Sequence, residues 1–244
     1  MKHLLLFGII LALSACVATT SSEEEFYVPS TELGARPDAD VSRDAGRQPF
    51  AVMEFLGVAP GMTVIDVIAS DGYYTEALAH AVGTNGRVYA QNPAISLRFR
   101  QAANDRAMQA RMGRLPNVRR LDREFDDLGL VPGRVDVAIT ALNFHDVYNR
   151  SPEQAQGMLQ IIKQVLKPGG VLGIIDHNSS AGADHANLHR MPAADAIAAA
   201  EAAGFVVESS DLLNNSEDDR TQGPFTEGLR GQTDRFVLKL TKPE

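Results

Sequence analysis

The stretch Met62–Asn92 decides the fold of this chain. It reads Met62-Thr-Val-Ile-Asp66-Val-Ile-Ala-Ser70-Asp71-Gly72-Tyr-Tyr-Thr-Glu-Ala-Leu-Ala-His-Ala-Val82, then Gly-Thr-Asn-Gly86 and Arg-Val-Tyr-Ala-Gln-Asn92. The apolar residues around Asp66 are typical of a strand buried on both faces. A turn of small residues, a helix and a second apolar strand follow. In such a βαβ unit, ligands bind at the carboxyl end of the first strand.

The alternation of strands and helices continues along the chain. Three further strands are predicted at 118–121, 135–141 and 171–175, and two more begin at residues 205 and 235. Helices are predicted at 42–56, with an interruption at Pro49, and at 94–112 and 152–167. We therefore predict an α/β fold with a Rossmann-like sheet of seven strands, mostly parallel with the last strand antiparallel. Helices are expected on both faces of that sheet.

The turn after the first strand resembles motif I of class I S-adenosylmethionine-dependent methyltransferases. That motif is usually Asp-x-Gly-x-Gly-x-Gly, whereas this chain has Asp66-Val-Ile68-Ala-Ser70-Asp71-Gly72. Glycine permits a positive φ and lets the backbone approach a ligand closely. Because Ile68 is β-branched, we expect it to resist the conformation that this turn usually adopts, and we expect the cofactor to bind weakly.

Other motifs extend the resemblance over nearly the whole chain after residue 42. They are Lys167-Pro-Gly-Gly170, Asn143-Phe-His-Asp146, Asp176-His177, His189-Arg190 and the segment 230–236. Together they resemble a group of exported bacterial proteins described as predicted methyltransferases. The resemblance implies S-adenosylmethionine as the cofactor and leaves the methyl acceptor open.

The resemblance also implies a cofactor site. The carboxylate and amine of the cofactor are expected at the turn and at the N-terminus of the following helix. The acidic residue that usually follows the second strand and holds the ribose hydroxyls is replaced here by Asn92, with Gln91 as the alternative. The adenine amine is expected near Asp126, unless the acids of that segment only solvate a loop. The full set of expected cofactor-binding residues is Asp66, Ser70, Asp71, Gly72, Asn92, Asp126 and Asn143. Residues 43–47 are expected either to reach over this site or to form a solvated charged turn.

Side chains suited to catalysis follow the fourth and fifth predicted strands. They are His145, Asp146 and His177, and the carboxyl ends of those strands meet at one edge of the sheet. Methyl transfer is an in-line displacement, so the protein supplies alignment and, where the acceptor carries a proton, a base. We predict His145 as that base, since imidazole titrates near neutrality, with His177 second. The alternative is that His145 caps a loop through Asp146.

Two other interpretations use the same loops. Some O-methyltransferases bind a divalent metal through acidic residues after these strands, and Asp146 and Asp176 occupy those places. Because no compact signature such as His-Glu-x-x-His is present, we predict no metal site. The other interpretation is a non-catalytic module that binds a small ligand on this fold. The altered glycines favour it, as does export away from the cytoplasm where S-adenosylmethionine is made.

Composition limits the partners. A chain of 244 residues with 44% apolar residues can form one large core plus tails. Its formal charge is −8 and it has no cluster of lysine and arginine, so nucleic acid is not an expected partner. A small-molecule cofactor and an acceptor are expected, and the oligomeric state is left open.

The N-terminal residues predict export. An apolar run at 4–13 is too short to span a bilayer, and Leu13-Ser-Ala-Cys16 is similar to the lipobox of bacterial lipoprotein signal peptides. We predict a signal peptide over 1–15, a lipidated Cys16 with a flexible tether over 16–41, and the methyltransferase-like domain over 42–244. Acyl chains on Cys16 would anchor the protein to a membrane. The resemblance to known lipoproteins implies the periplasmic face of the outer membrane. A plain secretory peptide is the alternative.

Overall fold

A seven-stranded sheet forms the centre of the protein in a computed structural model that describes residues 33–244. The strands are β1 Thr63–Val67, β2 Arg87–Gln91, β3 Val118–Leu121, β4 Val135–Ala141, β5 Leu166–His177, β6 Val206–Ser210 and β7 Arg235–Thr241. Their order across the sheet is β3-β2-β1-β4-β5-β7-β6. Strands β1 to β5 are parallel, and β7 runs antiparallel to β5 and to β6. The predicted Rossmann-like α/β fold, with its antiparallel last strand, is confirmed.

Helices connect the strands and cover both faces of the sheet. They are α1 Asp38–Val41, α2 Asp44–Arg47, α3 Pro49–Leu56, α4 Tyr73–Val82, α5 Ala94–Met112, α6 Phe144–Arg150, α7 Pro152–Val165, α8 His185–Leu188 and α9 Ala193–Ala202. Pro49 opens α3, because a proline lacks the N–H that the first turn of a helix leaves unpaired. Within residues 33–244, no helix has both the length and the apolar character needed to cross a membrane.

The alternation of buried side chains along β1 divides the core between the two faces. Val64 packs on one face with apolar side chains of α3, α4 and α5. Ile65 and Val67 pack on the other with those of α7 and α9. Successive side chains of a strand point to opposite faces, so a strand with helices on both sides is apolar at consecutive positions. This is why the continuous run in the sequence predicted a central strand.

Two element boundaries differ from the sequence prediction. Helix α7 ends at Val165 rather than 167, and β5 begins at once instead of at 171. The Lys-Pro-Gly-Gly segment joins the ladder, because the Gly169 N–H donates to the Lys242 carbonyl and the Lys242 N–H donates to the Gly170 carbonyl. Helix α5 is broken by non-helical backbone at 99–102, which places Phe99 outside the regular helical path.

The buried Arg111 links Asp40, near the start of the described residues, to helix α4. The Arg111 guanidinium donates to Asp40 at 2.5 Å and to Glu76 at 2.8 Å, and its Nε donates to the Asp71 carbonyl at 2.7 Å. Asp40 is 3% exposed and Leu33 is 7% exposed, so these two side chains are buried although they lie in the range predicted as a flexible tether. The predicted signal peptide over 1–15, Cys16 and the rest of the tether lie outside the described residues.

Candidate active site

The turn between β1 and α4 adopts a left-handed backbone at three positions. The φ angle is 54° at Ile68, 53° at Ser70 and 83° at Gly72. These are the three positions at which motif I usually has glycine. The expectation that Ile68 would prevent this conformation is therefore wrong. A left-handed residue with a Cβ costs on the order of 1–2 kcal/mol, so contacts around the turn must stabilise it.

Three side-chain amides make those contacts. The Gln91 Oε1 accepts a hydrogen bond from the Ile68 N–H at 3.0 Å, and the Asn92 Oδ1 accepts one from the Ser70 N–H at 2.8 Å. On the other side, the Asn143 Nδ2 donates to the Ile68 carbonyl at 3.0 Å. Each bond contributes about 0.5–1.5 kcal/mol net, so together they offset the strain of the turn.

Asn92 and Gly72 lie at the expected edge of the sheet but do not face the cleft described below. The Asn92 side chain is fully buried, and its Oδ1 also accepts from the Ser96 hydroxyl at 3.1 Å. It holds the turn, which corrects the expected contact with a ribose. Gly72 faces α5, because a Cβ there would lie 2.7 Å from the Arg111 Cδ and from the Met108 Sδ.

The turn forms one wall of a cleft of about 420 Å³, a volume within the range of small-molecule sites. The cleft brings together seven of the residues expected from the sequence: Asp66, Ser70, Asp71, Asn143, His145, Asp146 and His177. Asp126 is exposed and does not line the cleft, which corrects its expected contact with the adenine amine. The neighbouring Phe125 lines the cleft instead.

Arginines give part of the cleft a positive lining in an otherwise acidic chain. They are Arg43, Arg47, Arg100, Arg150 and Arg230. The Arg43 guanidinium donates to Asp71 at 2.9 Å, and those of Arg43 and Arg47 lie 4.5 and 4.6 Å from the centre of the Tyr73 ring. The first of the two expectations for residues 43–47 is thus confirmed: they reach over the site.

Apolar side chains at the mouth of the cleft were missed from the sequence. Ile95, Phe99 and Phe225 line it and are 67%, 55% and 69% exposed. Phe225 lies in a polar segment without periodicity, so no pattern marks it. The fully buried Arg190 fixes that segment by donating to the Gln222 carbonyl at 2.8 Å.

Asp66 is a buried carboxyl group in the cleft wall. It is 2% exposed and accepts a hydrogen bond from the Thr75 hydroxyl at 2.6 Å. Burial raises the pKa of Asp66 to about 7, although the bond from Thr75 acts in the opposite direction. A positively charged ligand atom beside Asp66 would favour the ionised carboxylate, so this side chain is suited to contact such an atom.

His145 is held between two carboxylates. Its Nδ1 lies 2.6 Å from the Asp176 Oδ1, and its Nε2 lies 3.3 Å from the Asp146 Oδ1. Burial lowers the pKa of His145, but the charges and hydrogen bonds of the two carboxylates outweigh burial and raise it to about 10. The ring is then cationic at neutral pH. A ring that holds this proton does not accept another, so the predicted role of His145 as a base requires that the proton first be lost.

His177 has the opposite electrostatic environment. Burial lowers its pKa to about 3, and its Nδ1 lies 2.8 Å from the Thr233 hydroxyl oxygen. Its ring centre is 6.0 Å from that of His145. His177 is therefore a neutral, weakly basic imidazole in the cleft wall, positioned by Thr233.

The cleft lies where ligands bind in open α/β sheets, at the carboxyl ends of β1, β4 and β5. The architecture is that of class I S-adenosylmethionine-dependent methyltransferases. A methyltransferase of Aquifex aeolicus has a TM-score of 0.59 at 22% identity, with 85% of this chain and 98% of that chain covered. The 1,6-didemethyltoxoflavin-N1-methyltransferase of Burkholderia thailandensis, solved with S-adenosylhomocysteine, has a TM-score of 0.57 at 20% identity, covering 85% and 82%.

Sequence comparison adds one curated relative. An uncharacterized methyltransferase of Synechocystis is 25% identical over 124 residues, which are 51% of this chain and 51% of that protein. The chain thus spans about half the length of this relative. No protein-family model matches the chain. The likeness to the solved structures establishes the fold alone.

The role of Asn92 in holding the turn can be tested with Asn92→Ala. The Ser70 N–H would lose its acceptor in a buried setting, so we expect the free energy of unfolding in urea to fall by about 1–3 kcal/mol. Asn214 is exposed, and among the described residues its side chain bonds to the surface residue Asp211, so Asn214→Ala should change stability by less than about 0.5 kcal/mol. Equal effects of the two substitutions would contradict the assigned role.

The raised pKa of Asp66 predicts a dependence of stability on pH. The folded protein keeps the Asp66 proton up to about pH 7, whereas the unfolded chain loses it near pH 4. The contribution of Asp66 to stability is therefore full below pH 4 and is lost as the pH rises to 7. Relative to Asp66→Asn, native stability should fall on the order of 3–4 kcal/mol over that interval. Urea unfolding at several pH values measures this, and a constant difference between the two proteins would refute it.

Proposed function

We propose that this protein is a methyltransferase that uses S-adenosylmethionine as its methyl donor. The observation that carries the proposal is the turn after β1, which is left-handed at Ile68, Ser70 and Gly72. A conformation of the kind that glycine permits in motif I is thus formed although two of its glycines are absent. A strained conformation in the wall of a cleft supports a functional role for that turn.

The lining of the cleft fits the parts of this cofactor. Asp66 and Asp71 offer carboxylates to an amine, and Arg47 offers a guanidinium to a carboxylate. The turn N–H groups of Ile68 and Ser70 already have protein acceptors. Arg47, instead of the turn backbone, would therefore bind the carboxylate of the cofactor. When bound, the cofactor supplies a methyl group on a positively charged sulfur for transfer to a nucleophile.

The mouth of the cleft supports an acceptor with a negative charge and an apolar part. Within residues 33–244, Arg47, Arg150 and Arg230 line the cleft and form no ion pair with a carboxylate. Unpaired guanidiniums in a cleft favour carboxylate or phosphate groups. The exposed rings of Phe99 and Phe225 offer apolar contact beside them. His177, held by Thr233, provides a neutral hydrogen-bonding group in the same wall.

The non-catalytic ligand-binding module remains the second candidate, and the pKa of His145 favours it. A histidine kept cationic by Asp176 and Asp146 does not remove a proton from an acceptor at neutral pH. An acceptor that is already ionised, as the arginines of the cleft favour, needs no such base. Methyl transfer therefore remains compatible with the site as it stands.

Calorimetric titration with S-adenosylhomocysteine tests the proposal. We expect one molecule per chain with a dissociation constant in the micromolar range, or about 8 kcal/mol of binding free energy. Asn92→Ala should bind at least tenfold more weakly because the turn loses its support, whereas Asn214→Ala should bind like the native chain. Formation of S-adenosylhomocysteine from S-adenosylmethionine, with bacterial envelope extract as the source of acceptors, then tests turnover.

The outcomes separate the two candidate functions. Binding with turnover supports the methyltransferase, and binding without turnover on any extract supports the non-catalytic module. Absence of binding by the native chain would contradict the use of this cofactor.

We also propose that the protein is exported and anchored to a membrane through a lipidated Cys16, with a periplasmic location at the outer membrane. The proposal rests on the sequence Leu13-Ser-Ala-Cys16 after a short apolar run. We expect Cys16→Ser to move the protein from the membrane fraction to the soluble fraction of cells, with loss of acyl mass from the mature N-terminus. Ser14→Ala is the control that keeps the cysteine. Membrane fractionation that is the same for Cys16→Ser and native protein would refute lipidation.

A further inference from the structure

Three side chains with metal-binding atoms converge beside the cleft. The Asp146 Oδ1 lies 3.3 Å from the His145 Nε2 and 3.0 Å from the His189 Nδ1. Each of the three side chains places one metal-binding atom within 4.8 Å of such an atom of the other two. His145 and Asp146 line the cleft, and His189 comes from the loop after α8, so two separate segments build the cluster.

The separations between these atoms match those of ligands around one ion. Zinc lies about 2.0–2.2 Å from imidazole nitrogens and carboxylate oxygens, so neighbouring ligands in tetrahedral or octahedral geometry are about 2.8–3.6 Å apart. The two distances to Asp146 lie within this interval. The His145 and His189 rings are nearly perpendicular, at 85°, with their centres 5.8 Å apart. Their nitrogens therefore approach Asp146 from different directions.

The surroundings of His145 are those of a metal ligand. Its Nδ1 lies 2.6 Å from the fully buried Asp176, which also accepts the His145 backbone N–H at 2.7 Å. A carboxylate that accepts the Nδ1 proton of a histidine fixes the ring and directs Nε2 toward a metal. Because the His145 ring is cationic at neutral pH without a metal, binding of the ion at Nε2 would displace one proton. Phe225 packs edge-on against the His189 ring, with centres 5.5 Å apart, and orients the second imidazole.

We propose that His145, Asp146 and His189 bind one divalent first-row transition-metal ion, such as Zn²⁺. Two imidazoles and one carboxylate suit zinc and its neighbours in the series better than Mg²⁺ or Ca²⁺, which prefer oxygen ligands. The prediction of no metal site from the sequence rested on the absence of a compact signature. These ligands come from residues 44 positions apart along the chain, so no short motif could reveal them. The arrangement also differs from a pair formed by Asp146 and Asp176, because Asp176 orients His145.

The ion would keep open positions toward the cleft, since three protein ligands leave at least one place for another donor. The assignment of that place rests on the proposed function: it would hold an oxygen atom of the methyl acceptor and favour its ionised form. Metal binding itself does not depend on methyl transfer, so the two can be tested separately.

Titration of the full chain with Zn²⁺ and with Co²⁺, without S-adenosylmethionine, tests the site. We expect one ion per chain by calorimetry, and visible absorption bands of bound Co²⁺ that change when acetohydroxamate, a small oxygen chelator, is added. His189→Ala and Asp146→Asn should each weaken binding at least tenfold. The His189 side chain is 43% exposed and that of Asp146 is 53% exposed, so both variants are expected to fold.

His185→Ala is the matched control. His185 lies on α8, four residues before His189, and bonds to the Ser179 hydroxyl outside the cluster. Its loss should leave the affinity for both ions unchanged. The proposal is overturned if the native chain binds no stoichiometric ion. It is also overturned if His189→Ala binds like the native chain, or if His185→Ala loses as much affinity as His189→Ala does. A Co²⁺ spectrum that does not respond to acetohydroxamate would overturn the open position.

Discussion

The cleft depends on hydrogen bonds between side-chain amides and one strained turn. Residues 68–71 line one wall of the cleft, and the left-handed backbone at Ile68 and Ser70 is held by Gln91, Asn92 and Asn143. Two of these amides stand at the end of β2, where the register pairs Val67 with Gln91. The register of the parallel strands thus sets the positions of the amides, and the amides set the shape of the turn. A shift of one residue in the register of β1 and β2 would move both amides away from the N–H groups that donate hydrogen bonds to them.

The two departures from the usual methyltransferase motif are coupled. The position after β2 usually carries an acid, and the turn usually carries glycine. Here Asn92 replaces the acid, is fully buried, and accepts the N–H of Ser70, which replaces a glycine. A neutral amide can be buried at this depth at much lower cost than a carboxylate. The Asn92 amide oxygen thus accepts the Ser70 N–H without placing a negative charge in the buried site.

The fold could be predicted from the sequence, whereas the state of the site could not. The alternating strands and helices can be predicted from local sequence patterns, such as the apolar run around Asp66. The φ angle of Ile68 cannot be predicted from local sequence, since it is set by side chains more than twenty residues away. The charge of His145 likewise depends on Asp176, 31 residues further along the chain. Local propensity is a weak guide where tertiary contacts decide the conformation.

Ile68 combines a strained backbone with an apolar side-chain contact. Its left-handed backbone costs energy that a glycine would not, yet its side chain packs against the apolar cluster beneath the sheet edge and also lines the cleft. A turn that had lost its purpose would be expected to relax into ordinary φ values, since nothing would be gained by keeping the strain. Instead three amides from two strands maintain the strained form. The contacts therefore maintain the left-handed backbone, and the isoleucine gives the cleft an apolar wall that glycine could not provide.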